Sequence, residues 1–155
     1  MIEKNRMTVN QPPAGTAVFL IGMRVNKPWR LHEWLAVFFA MPRMLAHLAR
    51  HPEAGLLCYD VYAGRNMIVV SYWSSAEALR TFASNPRAPH AGAWRRFNKR
   101  LAGTGSVGIW HETYVIGEHE AVYGGMPPFG LGKAVGTRPI SGETATAKQR
   151  LAAST

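Results

Sequence analysis

The stretch Ser106-Val107-Gly108-Ile109-Trp110-His111-Glu112-Thr113-Tyr114-Val115-Ile116 decides how this chain folds. It is rich in β-branched and aromatic residues, which favour extended structure, and it has no proline. Strand alternation divides its side chains between two faces, with Val107, Ile109, His111, Thr113 and Val115 on one and Trp110, Glu112 and Tyr114 on the other. We therefore predict a β-strand over residues 106–116 in which His111 stands in a mostly apolar row.

The segment that leads into this strand has the spacing of a helix. Its apolar and amide side chains recur at intervals that place them on one stripe, formed by His90, Trp94, Phe97, Asn98 and Leu101. If this stripe faces the strand, two histidines, an amide and an indole converge on one apolar site.

Outward from this pair of elements, the chain alternates strands and helices. Strands are predicted at residues 16–26, 56–62 and 67–73, and a helix at 29–50 should be kinked by Pro42, which lacks a backbone donor. A second helix begins after a Ser74 or Ser75 cap and ends near Ser84. The order predicts an α+β fold of the ferredoxin-like, split βαβ kind, with a four-stranded antiparallel sheet and helices on one face.

The other sheet face is aromatic, and the ends of the chain differ from its middle. Trp110 and Tyr114 would leave an apolar patch on a monomer, so we predict a homodimer through this face. We expect a flexible arm at 1–15, a ferredoxin-like domain at 16–123, an apolar lid or dimer-crossing segment at 124–136 and a disordered polar tail at 137–155.

Composition restricts the class of protein. The net charge of +9 is scattered and comes without a nucleic-acid-binding motif, so we expect a basic surface that steers an anionic ligand and no nucleic-acid partner. No apolar run reaches the roughly 20 residues of a membrane span, and no signal peptide is visible, so we expect a cytoplasmic protein. The single cysteine, Cys58, excludes an intrachain disulfide, and no metal-ligand spacing is found.

Several side chains are candidates for binding or chemistry. An imidazole titrates near pH ~6.5, so His111 could act as a general base; the alternative is a satisfied core histidine. Asn98 could donate a hydrogen bond to an oxyanion and Trp94 could form a pocket wall, although both could equally be packing residues. The candidates for substrate contacts are His90, Phe38, Phe97 and, at the rim of the sheet, Arg24 and Asn26.

Several blocks resemble a known family when they are taken in order. They are Val18 to Asn26, Ala40 to Leu45, His90 with Ala93 to Asn98, Gly108 to Tyr114, and Tyr123 with Met126 to Leu131. Together they look like the monooxygenase-like family related to fumagillin biosynthesis, over about residues 16–133. The resemblance implies a dimeric α+β barrel akin to the antibiotic-biosynthesis monooxygenases.

The chemistry that follows from this resemblance is oxidation of an electron-rich aromatic or polyketide-like substrate by dioxygen, with no cofactor required. His111 would be the base, with Asn98 and Trp94 orienting the substrate. Two alternatives stay open: a haem-binding or haem-dependent enzyme in which His111 or His90 is the axial ligand, and a non-catalytic dimer that binds a small ligand.

Overall fold

The computed structural model describes residues 2, 4–100 and 103–154, without the side chains of Ala36, His90, Ala93, Arg96 and Arg100. Its strands are β1 (Met7–Val9), β2 (Ala17–Val25), β3 (Leu56–Tyr62), β4 (Asn66–Trp73), β5 (Val107–Val115) and β6 (Thr137–Pro139). Its α-helices are α1 (Leu31–Phe38), α2 (Ala40–Arg50), α3 (Ala76–Ser84), α4 (Pro89–Arg100), α5 (Leu131–Val135) and α6 (Ala147–Ala152).

The main sheet confirms the predicted fold class. Its four strands lie in the order β3-β4-β2-β5, and all neighbours are antiparallel. The first and last strands of the split βαβ unit, β2 and β5, are therefore side by side, and β5 is an edge strand. Their register pairs Ile21 with His111 and Gly22 with Trp110, so these two pairs face opposite sides of the sheet.

Two apolar clusters join the helices to one face of this sheet. The first contains Met23, Val25 and Val107, packed against Trp34 and Val37 of α1 and Phe97 of α4. The second contains Leu48, Trp73 and Leu79, packed against Phe19, Met44 and Phe82. Burial of each large side chain stabilises the fold by about 1.5–3 kcal/mol, so these clusters hold the helical layer on the sheet.

The helix after β2 is interrupted, as its proline predicts. Helix α1 ends at Phe38 and α2 begins at Ala40, with Phe39 between them. Pro42 has no backbone N–H, and its ring collides with the carbonyl of the residue four positions earlier, which is Phe38. The break therefore falls on the N-terminal side of the proline. The predicted serine cap is also confirmed, because the Ser75 hydroxyl accepts a hydrogen bond from the Ala78 amide at 3.0 Å.

The ends of the chain have more regular structure than their composition indicates. Within the regions expected to be a flexible arm and a disordered tail, β1 pairs with β6 and α6 forms over residues 147–152. The buried Arg150 guanidinium contacts the Glu120 carboxylate and donates to the Thr144 carbonyl at 2.9 Å. Glu120 lies 30 residues before Arg150 along the chain, so this contact holds the C-terminal segment against the rest of the protein. The division of the chain at residues 15, 123 and 136 stays a prediction.

The segment at 124–136 lies against the sheet face that the helices leave open. The Cys58 thiol approaches the Gly130 carbonyl at 3.6 Å, and the Lys133 ammonium is 2.8 Å from the Asp60 carboxylate. Both Cys58 and Asp60 point to the face of Trp110. No helix in the described part of the chain is long and apolar enough to cross a membrane.

Candidate functional site

The His111 side chain lies on the helix-facing side of the sheet, at its open edge. Its cross-strand neighbour on β2 is Ile21, and its imidazole centroid is 5.8 Å from that of the Phe19 ring, with the planes tilted by 44°. Phe19 itself packs against the second apolar cluster. The His111 side chain is exposed, because β5 is an edge strand and its second half extends beyond the helices.

Helix α4 contributes an apolar wall on the same side of the sheet. Phe97 packs against the first cluster, and so does Ile109, which is two residues before His111 in the same row of β5. The Trp94 and Phe97 rings are stacked, with centroids 5.7 Å apart and planes at 20°. The row that carries His111 and the helix that carries Trp94 therefore adjoin at the first cluster, against which Ile109 and Phe97 both pack.

Of the other predicted site residues on the helices, the structure describes the side chains of Asn98 and Phe38. Asn98 is exposed on α4, next to Phe97. Leu101 and the His90 side chain lie outside what the structure describes. Phe38 is at the outer end of α1, where its ring makes an edge contact with Trp34 at a centroid distance of 6.3 Å. Phe38 thus contacts Trp34, and Trp34 in turn packs against the first cluster.

Arg24 and Asn26 form a separate group. The Arg24 guanidinium donates to the side-chain oxygens of Asn26 and Asn66, both at 3.1 Å. In the register of β2 and β5, Arg24 is opposite Gly108 and so shares the face of Trp110. The sheet lies between this arginine and His111, so the two side chains are on opposite faces, and the role of Arg24 and Asn26 in substrate contacts stays a prediction.

Glu112 faces away from His111, as alternation predicts. Its carboxylate accepts a hydrogen bond from the Tyr114 hydroxyl at 2.8 Å, and this bond, together with the nearby negative charge, raises the pKa of Tyr114. The partner of Glu112 within one chain is therefore Tyr114, its neighbour on the same face of β5. A His111–Glu112 dyad is excluded by the strand geometry.

Glu33 was missed by the sequence reasoning. It is buried in the first turn of α1; one carboxylate oxygen is 2.6 Å from the Arg30 guanidinium, and the other has no hydrogen-bond partner among the described residues. Glu33 precedes Trp34 and lies one turn before Val37, and both of these contact the core. The helical spacing of these three residues was the signal that could have revealed its burial.

A cleft of about 430 Å³ opens at the other edge of the sheet. It is lined by Leu48, Ala49, Pro52, Leu56, Leu57, Cys58, Tyr59 and Lys133. Burial raises the pKa of the Cys58 thiol to about 11, and the hydrogen bond to Asp60 raises the pKa of Lys133. Both groups stay protonated at neutral pH, so neither can accept a proton there. The candidate base, the His111 imidazole, lies instead at the β5 edge of the sheet.

No group of three or more metal ligands occurs among the described His, Cys, Asp and Glu residues. At the end of α2 the His47 and His51 rings are 4.3 Å apart, and His51, just past the helix, is 2.8 Å from the Glu53 carboxylate.

Three solved structures are similar to part of this chain at low identity. SnoaB, a cofactor-independent oxygenase from Streptomyces nogalater, is 19% identical, with a TM-score of 0.46, and the match covers 66% of this chain and 94% of that one. A conserved protein of unknown function from Bacteroides thetaiotaomicron, described as a possible oxidoreductase, is 17% identical, with a TM-score of 0.45 and coverage of 66% and 98%. Protein SO0527 from Shewanella oneidensis is 16% identical, with a TM-score of 0.43 and coverage of 75% and 97%. Similarity at this level is shared by proteins of unrelated function.

A comparison with curated proteins gives no match. A family model does match, and it spans residues 16–131, which include β2 to β5, the whole of α1 to α4, and Met126 to Leu131. This is most of the chain and all of the candidate site, and the chain therefore belongs to the Monooxygenase af470-like family.

Proposed function

We propose that this protein is a small monooxygenase that oxidises an electron-rich aromatic or polyketide-like substrate with dioxygen and requires no flavin or metal. The observation that carries the proposal is that the monooxygenase family match includes β5, where His111 is the one imidazole in a mostly apolar, helix-facing row. The substrate would lie along this row, against Phe19 and the wall made by Phe97 and Trp94.

The reaction begins with removal of a proton by His111. The neutral imidazole takes the acidic proton of a phenol or enol, and the resulting carbanion is electron-rich enough to reduce dioxygen. Two electrons pass from carbon to oxygen as a C–O bond forms, giving a peroxide. The peroxide takes back the proton held by His111, and loss of water with the second hydrogen of that carbon leaves a carbonyl, so one oxygen atom enters the product and the other leaves as water.

The surroundings of His111 suit this chemistry. The apolar side chains of Phe19 and Ile21 exclude water from the carbanion once the substrate covers them, and exclusion of water protects a reactive intermediate. Asn98 on α4 is the candidate donor to the developing oxyanion. His111 is exposed in the single chain, so the substrate itself supplies part of the cover.

We also propose that the protein works as a homodimer through the sheet face opposite the helices. This face carries Trp110, Tyr114 and Tyr62, and the last two are exposed although they are aromatic. A second copy would cover them. Light scattering after gel filtration measures the mass, and a monomeric mass that does not change with concentration would contradict this part of the proposal.

Oxygen uptake tests the assignment of His111. Protein treated with a chelator is mixed with dithranol, an anthrone with an acidic C–H, and oxygen consumption is followed with an electrode. We expect His111→Ala to lose at least about a hundredfold in rate, the usual contribution of a general base. His119→Ala is the matched control, because the His119 imidazole lies outside the candidate site, 2.8 Å from the Gly117 carbonyl.

Two results would change the assignment. Undiminished oxygen uptake by His111→Ala would remove His111 from the mechanism. A Soret band that forms on addition of hemin and is lost in His111→Ala would favour the haem-dependent alternative.

A further inference from the structure

Helix α1 buries its carboxylate and exposes large apolar side chains at and beyond its two ends. Glu33 is buried, whereas the large apolar residues around it are exposed by 38% to 76%: Trp29, Leu31, Phe38 and Phe39. Helix α4 packs beside α1 and adds Trp94, which is 48% exposed. These five side chains are named the outer apolar patch. A soluble helix normally has the opposite arrangement, so the patch indicates a surface that is covered by something else.

The charges around the outer apolar patch have one sign. Of the nine acidic residues in the chain, only Glu33 is in α1, α2 or α4, and its carboxylate is buried against Arg30. The same helices expose four basic side chains that the structure describes: Arg43, Arg50, Arg95 and Lys99. Helices α1, α2 and α4 therefore form a surface that is both apolar and cationic, and it complements a surface that is apolar and anionic.

We propose that this helical layer docks on the surface of an anionic lipid bilayer. Trp and Phe side chains partition into the region between headgroups and acyl chains, and neighbouring Arg and Lys side chains pair with lipid phosphates. A second copy of the same layer is a poor occupant, because two surfaces with the same positive sign repel each other. A nucleic acid would use the basic residues but would leave Leu31, Phe38 and Phe39 unsatisfied.

This inference does not use His111, although Phe38 and Trp94 are also candidates for substrate contacts. Its test measures vesicle binding and not oxygen uptake, so it can fail or succeed separately from the proposed oxidation. It requires no spanning helix. The layer would lie on the membrane, with the sheet and its far face directed away from the lipid.

Sedimentation with vesicles tests the proposal on the full-length protein. We expect binding to vesicles of phosphatidylcholine mixed with phosphatidylserine and much weaker binding to phosphatidylcholine alone. Binding to the mixed vesicles should fall as salt is added, because the attraction is screened over about 8–10 Å at physiological ionic strength. Equal binding to both vesicle types, or none to either, would overturn the proposal.

Two pairs of variants separate the apolar and the electrostatic contributions. Trp29→Ser with Phe39→Ser should lower the partition coefficient at least about tenfold, and Arg43→Gln with Arg95→Gln should lower it about fivefold for each charge removed. The controls remove equivalent exposed side chains outside the layer, namely Val122→Ser with Leu151→Ser and Arg138→Gln with Lys148→Gln. Circular dichroism of every variant shows whether it is folded, and Phe39→Ser alone replaces the first pair if that pair unfolds.

Competitors identify other occupants. If polyglutamate or single-stranded DNA binds in a way that depends on Arg43 and Arg95 while the vesicles do not bind, the membrane assignment is wrong. If the control variants weaken vesicle binding as much as the patch variants do, the binding reflects net charge only, and the assignment to this layer is wrong.

Discussion

Gly22 provides a quantitative test of the packing between β2 and β5. It is directly opposite Trp110, whose indole folds back over it. A methyl group added at Gly22 would lie 2.6 Å from Cε2 and 2.8 Å from Cζ2 of the indole, closer than real side-chain carbons approach their neighbours. We therefore expect Gly22→Ala to displace the Trp110 side chain, although alanine is otherwise acceptable in a strand.

The size of the effect follows from two opposing contributions. Overpacking of a well-filled site costs about 1–3 kcal/mol. Replacing glycine by alanine within a strand restores about 0.5–1 kcal/mol, because the unfolded chain loses conformational freedom. Trp110 is only half-buried, so its indole can move toward solvent, and the net loss should be about 1 kcal/mol in the free energy of unfolding.

A double-mutant cycle with Trp110→Val isolates the contact. In the valine background the clash is absent, and Gly22→Ala should stabilise the protein by about 0.5–1 kcal/mol. The sign of the glycine substitution should thus reverse between the two backgrounds, with a coupling of about 1.5–2 kcal/mol, which is within the range measured for residues in contact.

Urea unfolding followed by far-ultraviolet circular dichroism measures all four proteins at one concentration, so that any association is held constant. If Gly22→Ala changes the free energy of unfolding by the same amount in both backgrounds, within about 0.5 kcal/mol, the indole does not rest on Gly22 and the register assigned to this pair is in error.

Three further predictions concern buried polar groups. Glu33→Leu should raise the free energy of unfolding by about 1 kcal/mol, because it removes a buried carboxylate oxygen that has no hydrogen-bond partner among the described residues. Arg30, which loses its ion pair, can turn to solvent. If the variant instead has a lower midpoint in urea, the ion pair stabilises the fold. Burial raises the pKa of Cys58 to about 11, so between pH ~8.5 and pH 11 the folded state keeps the thiol proton that the unfolded state has lost. The free energy of unfolding should therefore fall as the pH rises through this range. Urea titrations at several pH values should show a smaller fall for Cys58→Ala, which has no thiol to titrate. Arg150→Met should make the C-terminal segment more susceptible to limited proteolysis, because the Glu120 carboxylate and the Thr144 carbonyl lose their hydrogen-bond donor. Arg138→Gln removes an exposed positive charge and is the control. If both variants are cleaved at the same rate, the ion pair does not hold the segment in place.

The regular elements were predictable because their signals are local. The alternation in β5 and the 3.6-residue spacing in α4 depend on residues within a few positions of one another, and both elements agree with prediction to within one residue at each described end. The break near Pro42 and the Ser75 cap are likewise consequences of single residues acting on the adjacent backbone.

The candidate site was less predictable, since it depends on how separate elements meet. His111 and Ile109 share a row by alternation alone, but the position of Arg24 relative to them required the register between β2 and β5. Glu33 is an example of a different kind, because a carboxylate in the first turn of a helix is ordinarily solvated, and only packing of α1 shows that this one is buried.

By itself, the sequence determined the order and type of the elements from β2 to β5 and, through them, the α+β fold, since hydrophobic periodicity and turn chemistry act over short distances along the chain. Only the tertiary structure decided that Arg24 and His111 are on opposite sides of the sheet, that α1 buries Glu33 while Leu31 and Phe38 stay exposed, and that the C-terminal segment is held by Arg150 and Glu120. These outcomes depend on contacts between residues far apart in the chain, which no local pattern encodes.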